Sequence, residues 1–110
     1  MTYRTQIAHF VETLVREFSP EKVVLFGSSA RGRVSRDSDV DLLVIMRHRG
    51  DSVDQALAIR ERIDCAFPLD LIVKTPAETR RRLRNSDMFL KSVLSEGRTL
   101  YERHRGRMGR

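Results

Sequence analysis

The sequence has no tryptophan, a single cysteine, three prolines and an aromatic content of only 6% in its 110 residues. So few rings give no stacking platform for single-stranded nucleic acid, whose binding proteins line their grooves with aromatic side chains. One cysteine, Cys65, cannot close an internal disulfide and suits a reducing compartment. It is expected to be a buried or half-buried apolar residue rather than a nucleophile. Long apolar runs are missing too. The longest, Leu42 to Met46, is strand-sized and far short of the roughly 20 residues that a membrane span needs. Met1 to Phe10 has no uninterrupted apolar stretch behind a basic start, so no secretory signal is read there and a cytoplasmic protein is expected.

What is present is charge and enough apolar residues for one core. A chain of 110 residues that is 40% hydrophobic and 33% charged fits a single soluble domain. Of its 21 basic residues only Lys22, Lys74 and Lys91 are lysines, so the net charge of +6 rests mainly on arginine, which makes forked contacts to phosphate and carboxylate. Two clusters stand out: Arg80, Arg81, Arg82 and Arg84, then Arg103, Arg105, Arg107 and Arg110. The second lies in a basic segment, 103–110, with no apolar pattern to anchor it, and is expected to be a disordered tail after a domain of 1–102. Composition leaves open whether the clusters are solvated surface or contact an acidic partner or RNA.

Apolar residues at Ile7, Phe10, Val11, Leu14, Val15 and Phe18 form one helical stripe, so Thr2 to Phe18 reads as an amphipathic helix stopped by Ser19 and Pro20. Lys22 to Phe26 is a short β-branched run closed by Gly27, the pattern of a buried strand. Residues 27–38, rich in Gly, Ser and charge, read as a loop with one helical turn around Ser29 to Gly32. Asp39 to Met46 is a second strand. Ser52 is expected to cap a helix running to about Asp64, with Val53, Ala56, Leu57, Ile59 and Ile63 turned to the core. Leu69 to Lys74 is a third strand. Thr75, Pro76 and Glu78 mark the start of another helix, with Thr at the cap and Pro in the first turn. A further helix runs from about Asp87 to Gly97, and Arg98 to Glu102 reads as a last short strand. The order describes an α+β domain, a small mixed sheet with helices packed on it.

Three acids fall on strands rather than on helix surfaces. Asp39 and Asp41, two apart on one strand, leave the same face ~7 Å apart at Cα. If the strand of Asp70 lies alongside, a third carboxylate joins them, and the three raise one another's pKa unless a cation compensates. Magnesium suits such a set because it takes carboxylate and phosphate oxygens together, and two ions can clamp an in-line phosphoryl displacement. The turn Gly27-Ser28-Ser29-Ala30-Arg31-Gly32 has the makings of a phosphate cradle, with glycines that let backbone N–H groups approach an anion, a hydroxyl and a guanidinium. Gly27 and Gly32 have P-loop separation, but Arg33 and Val34 stand where that loop needs Lys and Ser or Thr. His9, His48 and His104 show no joint metal-site spacing, and Tyr3 and Tyr101 read as packing residues.

Gly27-Ser28, then ten residues on Asp39-Val40-Asp41 within an apolar strand, resembles the DNA polymerase β-like nucleotidyltransferase superfamily. The fuller run from Gly27 to Gly32 and from Ser38 to Leu42 is similar to its minimal, MNT-type branch. The resemblance implies that Asp39 and Asp41 are ligands shared by two magnesium ions, that Asp70 completes the site activating the nucleophile, and that Ser28 and the Gly27 backbone hold the triphosphate tail. Arg31 either binds phosphate or pairs with a strand acid to fix the turn, while Asp37 and Ser38 shape the loop. The implied reaction is attack of a hydroxyl on the α-phosphate of a nucleoside triphosphate, ATP by analogy, with pyrophosphate leaving. Minimal members of the family resemble one half of two-gene systems in which the transferase is an antitoxin adenylylating an all-helical HEPN toxin. Two other classes stay open. One is a non-catalytic binding module that neutralises its partner by contact, against which three mutually repelling carboxylates argue. The other is a transferase acting on tRNA or on a small molecule such as an aminoglycoside, the small-molecule version being disfavoured by the want of an acceptor domain.

Overall fold

The computed structural model describes residues 3–31 and 39–103. In chain order these form α1 (Tyr3–Phe18), β1 (Lys22–Phe26), a 3-10 turn (Gly27–Arg31), β2 (Val40–Ile45), α2 (Ser52–Arg62), β3 (Leu69–Lys74), α3 (Pro76–Arg84), α4 (Met88–Glu96) and β4 (Arg98–Glu102). The expected turn therefore begins two residues earlier than Ser29, and the tail beyond 103 lies outside the described residues. The strands make one mixed sheet in the order β3-β2-β1-β4. β1 is antiparallel to both β2 and β4, whereas β2 and β3 run parallel.

Strand alternation sends the two faces into separate cores. Val23, Leu25, Val40, Leu42, Val44, Leu71 and Val73 meet Ile7, Phe10, Val11 and Leu14 of α1 and Ile59 of α2 on one side. Val24, Leu43 and Ile45 meet Leu90 and Val93 of α4 on the other, with Leu83 of α3 packed against them. β2 is covered on both faces, which is why it reads as an almost unbroken apolar run. Fully buried Leu42 and Leu43, at 0% exposure, each contribute about 1.5–3 kcal/mol of burial to opposite cores. Among the described residues no helix is long and apolar enough to cross a membrane.

Capping decides the helix boundaries. Thr75 Oγ1 accepts a hydrogen bond from Glu78 N at 3.1 Å with Pro76 following, as the sequence indicates. Asp87 Oδ1 accepts from Leu90 N at 3.0 Å to start α4. At α2 the cap is Asp51, which accepts from Val53 N at 2.7 Å, and not Ser52, whose hydroxyl bonds the His48 ring instead. An aspartate one residue upstream outcompetes the serine because its charged oxygen makes a stronger bond to the helix N–H groups. α2 ends at Arg62 rather than Asp64, and Val53 and Leu57 are exposed at 67% and 52%, so only its Ala56–Ile59–Ile63 side faces the core. Cys65 is likewise exposed rather than buried; its thiol donates to the Phe67 carbonyl at 3.2 Å, and partial burial pushes its pKa up. Tyr3 packs edge-on against Phe67 at 5.8 Å, and half-buried Tyr101 lies against the α1-side core. Arg103 N donates to Glu21 O at 2.8 Å, continuing the chain's attachment one residue past β4.

Candidate active site

The acids converge because of how β2 is flanked. β1 ends where β2 begins, pairing Phe26 with Asp41, and parallel β3 sets Asp70 directly beside Asp41. Asp41 and Asp70 share their sheet parity with Leu43, Ile45 and Ile72, so both side chains leave on the α3–α4 face. Asp39 is exposed and stands just ahead of β2, which starts at Val40 and not at Asp39 as the sequence suggests. Among the described residues no three or more His, Cys, Asp and Glu side chains form a ready-made metal cage. The carboxylates nonetheless feel one another. Burial pushes the Asp41 carboxyl above its ordinary range, Asp70 and then Asp39 push it the same way by charge repulsion, and a hydrogen bond to Asp70 adds to this. Repulsion thus acts on Asp41 in the direction the sequence indicates, with desolvation as the larger cause.

Gly27 is built against this pair. Its φ of +76° lies in the left-handed region, and a Cβ there would sit 2.3 Å from Asp41 Oδ2. Only glycine serves both requirements. The turn that follows keeps Ser28 exposed and Ser29 2% exposed, and Ser29 Oγ donates to the Asp39 carbonyl at 3.2 Å. Ser29 thus ties the turn to the acid-bearing segment, a role that nothing in the sequence separates from that of Ser28. Arg31, exposed at the end of the turn, makes no ion pair with another described residue. Of its two proposed partners, a strand acid within the described residues is therefore not the one it takes. Asp37 and Ser38 lie outside the described residues.

Other features fall away from this centre. A groove of about 370 Å³ runs between α1 and β4, lined by Ile7, Val11, Leu25 and Leu100, and it meets the site only through Ser29. Of the first arginine cluster, Arg82 is occupied: its Nε donates to Glu78 at 2.9 Å and its Nη1 to Asp87 at 3.4 Å, with Lys74 3.6 Å from Glu78. The Arg82 bond holds the Glu78 carboxyl below its ordinary range. Arg80, Arg81 and Arg84 stay exposed.

A glycine–serine turn closing on strand acids, in a mixed sheet with helices on both faces, is the arrangement of a nucleotidyl-transferring domain. The chain belongs to the nucleotidyltransferase domain family, which matches residues 7–100. It is 30% identical over 103 residues to a candidate protein adenylyltransferase of Methanocaldococcus jannaschii, spanning 92% of this chain and 100% of that protein. Its fold is shared with a crystal structure of a candidate nucleotidyltransferase from Sulfolobus solfataricus, at a TM-score of 0.63 and 24% identity over 93% of this chain and 82% of that one. A chain of a toxin–antitoxin complex solved with AMP-PNP superposes at a TM-score of 0.54 and 22% identity, covering 88% of this chain and 74% of that one. A chain of a mutant MntA–HpeT toxin–antitoxin complex carrying two aspartate-to-glutamate changes gives 0.51 and 19%, with the same coverage.

Proposed function

We propose that this chain transfers AMP from ATP to a hydroxyl of a partner protein, and that the partner is a HEPN-family toxin which it silences as an antitoxin. The carrying observation is the Asp41–Asp70 pair set beside a glycine with no room for a side chain. The name of the M. jannaschii relative and the toxin–antitoxin setting of two structural neighbours support the acceptor and the partner.

The donor set fits magnesium. Asp39, Asp41 and Asp70 offer hard carboxylate oxygens, and the charge that burial and repulsion disfavour at Asp41 is what a divalent cation offsets. Two such ions held by these three residues would neutralise phosphate charge and polarise the α-phosphate. The chain's own groups do the positioning. Ser28 and the Gly27 backbone N–H grip the β- and γ-phosphates, and Arg31, which pairs with no acid among the described residues, adds a forked contact. The acceptor oxygen then forms a new bond to the α-phosphorus in line with the breaking α–β bridge. Its proton passes to solvent beside Asp70, and pyrophosphate departs along the turn. Holding acceptor and phosphate in line supplies much of the rate.

Purified protein mixed with labelled ATP, magnesium and the product of the adjacent gene is expected to put label on that protein, and D39A/D41A to abolish it with the fold retained. Label on tRNA alone would overturn the antitoxin reading. Full neutralisation of the partner by D39A/D41A would instead favour a binding module.

A further inference from the structure

The nucleotide reading leaves the base without a site, because the acids and the glycine–serine turn engage only phosphate. A second feature lies at the same end of the sheet. Phe26 immediately precedes Gly27 and is the register partner of Asp41. Its ring meets Phe89 of α4 edge to face, with centroids 5.7 Å apart and planes at 86°. Phe89 still exposes 48% of its surface and the adjacent Met88 73%, although Leu90, next in the chain, is wholly buried. α4 is therefore anchored by its inner face while presenting an uncovered ring and thioether at its first turn. The anchoring is firm: Asp87 caps the helix and is bonded by Arg82 from α3, so the ring sits on a fixed element.

We propose that Phe89, backed by Phe26 and flanked by Met88, is the surface on which the purine base of the nucleotide stacks. The inference rests on the transferase reading above and supplies its missing specificity element. Size favours a base over a protein surface: one ring and one methionine match a single purine, whereas a stable protein interface buries roughly 800 Å² per partner. Position favours it as well. The residue before the phosphate-gripping turn is in contact with the ring, so a base stacked there remains connected through its ribose to phosphates held at Gly27 and Ser28. Stacking reads ring area rather than hydrogen-bonding edges, so this surface prefers purines to pyrimidines and distinguishes adenine from guanine weakly. Polarizable sulfur from Met88 adds to the same apolar contact.

Isothermal titration of the full chain in magnesium with a non-hydrolysable ATP analogue, the matching CTP analogue and inorganic tripolyphosphate tests this directly. In the wild type the ATP analogue is expected to bind more tightly than either of the others. Phe89→Ala should weaken the ATP analogue on the order of tenfold, leave tripolyphosphate within about twofold and erase the purine preference. Phe89→Trp, which keeps a ring, should retain wild-type affinity, and melting curves of both variants control for folding. Unchanged ATP-analogue affinity in Phe89→Ala overturns the proposal, as does equal weakening of tripolyphosphate. A wild type that binds neither nucleotide nor tripolyphosphate would overturn the transferase reading itself, a distinct result.

Discussion

Two glycines with nearly the same backbone conformation allow the site geometry to be tested apart from stability. Gly27 has φ +76° and Gly50 φ +78°. Placing alanine in the left-handed region costs about 1–2 kcal/mol at either position. At Gly50 nothing lies within 4 Å of the added Cβ, so the conformational cost is the whole effect. At Gly27 the Cβ falls 2.3 Å from Asp41 Oδ2 and 3.3 Å from its Cγ, against ordinary carbon contacts of about 3.5–4.0 Å. The carboxylate must therefore swing away by about 1 Å, which a short, half-buried side chain does at little further cost in stability. A displacement of about 1 Å at a reacting centre costs on the order of 100-fold in rate. Gly27→Ala and Gly50→Ala should therefore lose similar melting temperature, about 5–15 °C at about 4–8 °C per kcal/mol for a domain of this size. Only Gly27→Ala should lose label transfer from ATP, by about two orders of magnitude, while Gly50→Ala transfers at the wild-type rate. Scanning fluorimetry and a timed transfer assay read the two quantities. Wild-type transfer by Gly27→Ala, or equal loss in both variants, would refute the claim that this glycine exists to make room for Asp41.

Two further expectations concern stability. The Asp41 carboxyl is held above its ordinary 3.8 in the fold, so the unfolded chain ionises first as pH rises. Its penalty is absent below that value, grows as pH rises from 3.8 towards the raised pKa and is complete above it. Asp41→Asn should accordingly raise the melting temperature of metal-free protein at pH 7, leave it unchanged near pH 3 and abolish transfer; a variant no more stable than wild type at pH 7 would contradict the buried repulsion. Thr75→Ala removes the acceptor for Glu78 N at the start of α3 and should cost about 1 kcal/mol in urea unfolding without altering nucleotide affinity, because Thr75 follows the end of β3 opposite Asp70. A drop in affinity would show that α3 is coupled to the site.

Much of this architecture is written locally. The stripe Ile7–Phe10–Val11–Leu14, the β-branched run before Gly27 and the Thr75-Pro76 start are signals whose cause lies within a few residues, in period and in hydrogen bonds to nearby backbone, and each element stands where they indicate. The spacing of Gly27-Ser28 and Asp39-Val40-Asp41 is local in the same sense, since antiparallel pairing sets the end of β1 beside the start of β2. Where two local signals competed, at Asp51 and Ser52, or where an apolar residue could face either way, at Val53 and Leu57, sequence alone misjudged the outcome. The tertiary structure decided the rest. That Asp70 lies in register with Asp41 depends on the whole parallel pairing of β2 with β3, and a slip by one residue would turn it to the other core. The burial of Ser29 rather than Ser28, and the meeting of Phe26 with Phe89 across 63 positions of chain, are likewise products of packing summed over distant elements, to which no short stretch of sequence has access.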